Sequence, residues 1–221
     1  LALAEKGYVE FQSFECLDWA CRNRFGTFLR LSDADAMLVQ NSERLEQLLQ
    51  EYLRQQPNNP DMGTILGTVY VRRKQHENAS KVLSKVVSVA GSRMPEAAYY
   101  NAICLQQLGN TPEAKTSADI AAEVFASRIA TQPFSLRLLA DLCRCYLISE
   151  EEARAIREID EQSLRCTVVE REQLKFLTGD VLAAWSRRLR NSADRRPEDF
   201  LRSLELLSQG LAVAPMHPRL L

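Results

Sequence analysis

Apolar residues return every three or four positions along nearly the whole chain. Phe14, Leu17, Cys21, Phe25 and Phe28 form one such stripe, Leu45, Leu48, Leu49, Tyr52 and Leu53 the next, and Ala79, Val82, Leu83, Val86, Val87 and Ala90 a third. Ala114, Ala118, Ala121, Ala122, Phe125 and Ile129 continue the series, followed by Leu138, Leu139, Leu142, Cys143 and Tyr146. Leu174, Leu177, Val181 and Trp185, then Phe200, Leu204, Leu207 and Leu211, complete it. This spacing lines one side of an α-helix. No stretch of similar length alternates with the period of two that a half-buried strand requires. The pattern predicts an all-α protein.

Helix-breaking residues fall between the stripes. Pro57 and Pro60 end one helix, because proline lacks the ladder N–H and disfavours helix in the residue before it. In "LQQLGNTPEA", Gly109 supplies the left-handed residue that closes a helix, and Pro112 suits the first turn of the next. That stretch is the tip of a helical hairpin. Ser149 with Glu152 three residues later reads as a capping box, and Ser32, Asp33, Ala34 and Asp35 give a weaker start signal. The predicted helices run over 8–30, 33–56, 61–73, 77–90, 96–108, 112–130, 134–148, 150–165, 169–190 and 197–213. Short loops between them imply antiparallel hairpins.

Leu66, Gly67 and Tyr70, followed by Ala79 and Leu83, have the spacing of a tetratricopeptide repeat (TPR), in which small Gly67 and Ala79 would let paired helices approach closely. Ala98, Ala102, Leu105, Ala114, Ala118 and Ala121 occupy the corresponding places one repeat later. "YLRQQPNNPD" resembles the link between repeats and "GLAVAP" the end of a repeat's second helix. The match is best over 52–130. The resemblance implies one domain over 1–221: a right-handed α-α superhelix (solenoid) of antiparallel helical hairpins. A long N-terminal hairpin, 8–56, would precede repeats at about 60–93, 95–130, 133–166 and 169–215. Gly63 stands where the family often has Trp, and Asn101 where it prefers Leu. The third hairpin matches mainly by helix length, and the fourth carries the enlarged loop "RNSADRRPED".

Composition narrows the function classes. The 221 residues have a formal net charge of −1, so no global basic field favours nucleic acid or an anionic membrane. No apolar run approaches the roughly 20 residues needed to span a bilayer. Six cysteines without a C-x-x-C pair, far from His76 and His217, read as reduced, mostly buried thiols rather than zinc ligands. The chain starts at Leu1 without an initiating Met and shows no signal peptide, which suggests a cytoplasmic fragment of a longer protein.

No phosphate-binding loop or nucleophile elbow is present. His76 and Glu77 begin like a zinc-protease helix, but Ser80 stands where the second histidine belongs. Neither a cofactor nor a metal is expected. Glu150, Glu151 and Glu152 suit the positive end of a helix dipole. Arg187, Arg188, Arg190, Arg195, Arg196 and Arg202 face only three acids, Asp194, Glu198 and Asp199, and form a candidate basic patch. In a TPR-like stack the first helix of each hairpin lines the inner face. That places Thr64, Thr68, Arg72, Tyr99, Ile103 and Gln106 in the candidate partner-binding groove, with Tyr99 alternatively packed on Tyr70 or Tyr100. The set lacks the Lys and Asn of the carboxylate clamp by which some family members hold chaperone C-termini. The expected function is a non-catalytic protein-interaction scaffold binding a peptide or protein partner. The alternatives are an RNA-binding, pentatricopeptide-like array, disfavoured by the near-neutral charge, and the regulatory arm of an enzyme whose catalytic domain lies outside this piece.

Overall fold

A computed structural model describes residues 5, 13–30, 36–191 and 196–220, and among these the chain forms ten α-helices and no strand. They are α1 (Phe14–Arg30), α2 (Ala36–Gln55), α3 (Pro60–Arg72), α4 (His76–Ala90), α5 (Pro95–Gln107), α6 (Thr111–Thr131), α7 (Leu136–Ile148), α8 (Glu152–Ser163), α9 (Val168–Asn191) and α10 (Pro197–Val213). A single 3-10 turn, Gly91–Arg93, joins α4 to α5. The expected starts at 8 and 33, and the Ser32 to Asp35 signal, lie outside the described residues.

The chain divides into two units, Leu1–Ala114 and Lys115–Leu221. In the first, one apolar core runs from Leu17 and Phe28 on α1, through Leu45, Leu49, Met62 and Leu83, to Cys104 on α5. Here α3 packs on its hairpin partner α4, α4 on the following α5, and α3 also on α5. The second unit repeats this scheme: α7 packs on α8, α8 on α9, and α7 on α9, while α9 and α10 form the closing hairpin. In each unit one first helix, α3 or α7, therefore touches both its own second helix and the next first helix. A shape shared by both units thus follows from a packing rule rather than from matching sequence.

Three hairpin tips share one backbone device. Lys74 (φ 57°), Gly109 (φ 77°) and Glu150 (φ 62°) are left-handed. The N–H after each reaches back five residues: Gln75 to the Tyr70 carbonyl (2.9 Å), Asn110 to Leu105 (2.9 Å) and Glu151 to Tyr146 (2.7 Å). This Schellman closure satisfies carbonyls that a helix end leaves without partners. It also fixes a register in which Tyr70, Leu105 and Tyr146 are equivalent, as are the buried trios Ala79, Ala114 and Ala155, and Leu83, Ala118 and Ile159. The third hairpin is therefore aligned residue by residue with the other two, beyond the likeness in helix length.

The capping box expected at Ser149 is absent. Ser149 is the C-terminal cap of α7 and donates its hydroxyl to Asp119 (2.5 Å), while Glu151, with no side-chain cap bond, starts α8. The left-handed Glu150 ends one helix before the next begins, so the serine cannot open it. A reciprocal box does form at α9, where the Thr167 N–H donates to the Glu170 carboxylate (2.8 Å) and the Glu170 N–H to the Thr167 hydroxyl (3.4 Å). The close approach at Gly67 also differs in detail. A methyl group there would sit 2.3 Å from Leu83 Cδ2, so Leu83, rather than Ala79, fills the space glycine leaves.

Candidate partner-binding face

The face is built on α3 and α5. Asn59 caps α3 by accepting from the Met62 N–H (3.1 Å), and Pro60 fills its first turn. The helix then carries Thr64, Thr68 and Arg72 at successive turns. Both threonines are buried, with their hydroxyls donating back to the Pro60 (2.8 Å) and Thr64 (2.9 Å) carbonyls, the common use of a hydroxyl inside a helix. Half-buried Arg72 donates to the Phe28 carbonyl (2.6 Å) with its guanidinium 4.7 Å from the Phe28 ring centre. That pairing ties α3 to α1.

On α5, Tyr99 is 7% exposed and its ring lies 5.2 Å from that of Tyr100, the packing foreseen as the alternative to a groove position. Ile103 is half-buried and Gln106 is exposed. Solvent therefore reaches Arg72, Ile103 and Gln106, while Thr64, Thr68 and Tyr99 lie beneath the surface. Sequence spacing places all six on first helices but carries no measure of how closely α3 and α5 approach.

Asn101 occupies the place where the repeat prefers leucine and is 3% exposed. Its side-chain oxygen accepts from the hydroxyls of Ser80 and Ser84 on α4, each at 3.2 Å. A buried amide is tolerated only with hydrogen-bond partners, and these two serines provide them.

Three members of the arginine cluster have side chains engaged within the chain. Arg188 holds Glu152, 3% exposed, through two bonds of 2.5 and 2.8 Å, and lies 3.6 Å from Glu150. Arg187 donates to its own helix at the Ala183 carbonyl, and Arg202 sits 5.8 Å over the Trp185 ring. The Arg196 N–H donates to Asp199, and Arg190 is exposed. Arg195 lies outside the described residues. Glu152, foreseen as a first-turn acid matched to the helix dipole, is thus the buried half of an ion pair with Arg188.

All six cysteines are free and five are buried. Burial pushes the thiols of Cys21, Cys143 and Cys145 up to about 12 and that of Cys104 up to about 11, and it raises Cys166 as well. Desolvation disfavours the thiolate, the form that reacts. Among the described residues no group of three or more His, Cys, Asp or Glu side chains is placed around a metal position. No described helix is long and apolar enough to cross a membrane.

No family model matches the sequence, and no curated protein matches it. Solved structures do. A putative kinesin light chain of Podosopora anserina with nearly identical TPR-like repeats is similar at a TM-score of 0.58 and 15% identity, covering 87% of this chain and 93% of that one. A MamA RS-1 double mutant, also 15% identical, covers 84% of this chain and 96% of its own, at a TM-score of 0.45. The kinesin light chain likeness, joined to the packing scheme above, shows the fold: this is an all-α helical-repeat chain with a divergent TPR fold.

Proposed function

We propose that the chain is a non-catalytic protein-interaction scaffold whose first helices, α3 and α5, receive a peptide or protein segment of a partner. The packing of α3 against α5 carries this reading, because repeat arrays that align their first helices present one extended binding surface. Arg72, Ile103 and Gln106 are the members a partner reaches directly. Thr64, Thr68 and Tyr99 support them by fixing the helices beneath.

A photo-crosslinking residue at Gln106 tests the reading, with exposed Arg157 on α8 as the control position. The scaffold reading expects a protein cross-link from Gln106 that is missing at Arg157. Cross-links to RNA, or equal labelling from both positions, would contradict it. Of the arginines an RNA-binding array would draw on, Arg188 is already paired with Glu152.

A further inference from the structure

A second face of the first unit has the form of a binding slot. Where α3 begins, Gly63 lies so close to α4 that a methyl group on it would be 2.5 Å from Val86 Cγ2. The large side chain that TPR-like repeats often place there is excluded, and a cavity of about 250 Å³ opens beside the contact. Gly63, Val86, Pro57, Val82 and Val89 are among the residues that line it. Val89 is 46% exposed, an apolar surface left to water on α4.

The rim is cationic. Lys85 donates to the Pro57 carbonyl (3.1 Å) while remaining exposed, and Lys81 is exposed with no hydrogen bond or ion pair to a described residue. Among the described residues no acid lines the cavity. Between Glu77 and Glu96 the chain carries Lys81, Lys85 and Arg93 and no carboxylate, although the whole protein has 29 acids against 28 bases. Pockets for drug-sized ligands span roughly 300–1,000 Å³, so this slot suits one large side chain better than a free small molecule.

We propose that the slot docks an acidic peptide segment of a partner protein, anchored by one bulky apolar side chain. The anchor enters between Pro57 and Val89, and carboxylates on either side of it pair with Lys81 and Lys85. The slot shares the start of α3 with the α3 and α5 row, but Pro60 and Gly63 line it rather than Thr64, Thr68 or Arg72, so the two surfaces can be tested by separate substitutions.

The probe is a fluorescein-labelled peptide, Gly-Asp-Glu-Phe-Glu-Asp-Gly, titrated into the whole chain and followed by fluorescence anisotropy. Saturable binding is expected. Replacing the peptide's Phe by Ala, or Val89 by Glu in the protein, should weaken it about tenfold or more, since a buried anchor dominates such contacts. Lys81→Glu should weaken it severalfold, with the loss shrinking at high salt as rim charges are screened. Both protein substitutions are at exposed positions, and an unchanged circular dichroism spectrum confirms that the variants fold. Three results would overturn the proposal: no binding, equal binding of the Phe and Ala peptides, or indifference to Val89→Glu. A peptide displaced by Gln106→Arg but not by Val89→Glu would lie on the first-helix row, and the slot would again be excluded.

Discussion

Gly67 and Gly26 are both helical glycines with opposite roles. At Gly67 an added methyl group meets Leu83 Cδ2 at 2.3 Å and its branching carbon at 2.4 Å, whereas at Gly26 nothing lies within 4 Å. Gly67→Ala should therefore lower stability by about 1–3 kcal/mol through overpacking, outweighing the gain in helix propensity. Gly26→Ala should raise stability by up to about 1 kcal/mol, the propensity term alone. Denaturant midpoints of the two variants check the pair. The buried ion pair gives a second residue-scale outcome. Arg188→Ala leaves the Glu152 carboxylate buried without its bidentate partner and should cost about 3 kcal/mol, at the low end for such pairs because Arg188 itself is partly exposed. Thiol chemistry gives a third. With burial holding Cys21, Cys143 and Cys145 up to about 12 and Cys104 up to about 11, a thiol titration at pH 8 should label at most Cys16 quickly in the native state. Six should react after unfolding. Several fast native thiols would contradict the packing described.

At the scale of the element, the hairpin tips decide what could be read from the sequence. The ten helices fall close to where apolar spacing and the prolines place them, because both effects are local. Two of the three tips are hidden, since their left-handed residue is Lys74 or Glu150 instead of glycine. For the same reason Ser149 passes for the start of α8 when it ends α7, and Cys143, standing in the place of Gly67, conceals the third repeat. The tips predict mirrored substitutions. Gly109→Ala should destabilise by about 1–2 kcal/mol, the cost of a left-handed L-residue. Lys74→Gly should relieve that cost and stabilise, by less than about 1 kcal/mol once the greater freedom of unfolded glycine is subtracted. Thermal melts measure both signs. The Asn101 bridge is the element-scale departure from the repeat pattern, and its reason sits on α4: Ser80 and Ser84 become visible as partners only once the two helices are packed together.

For the molecule as a whole, the fold is legible in the sequence and the working surface far less so. Six residues on first helices can be named from the resemblance to the repeat family, yet exposure depends on how nearly α3 meets α5, and that leaves Arg72, Ile103 and Gln106 open to solvent. Arg72 also braces Phe28, so its replacement mixes stability with binding and is the poorer probe. Ile103 and Gln106 separate the two. The direct measurement is calorimetric titration of the partner cross-linked at Gln106 against the wild-type chain and the double variant Ile103→Asp, Gln106→Arg, with melting curves of both proteins. The scaffold account predicts an affinity loss of about 2 kcal/mol or more, the range of interface hot spots, with an unchanged melting curve. Unchanged affinity in a fully folded variant would contradict it.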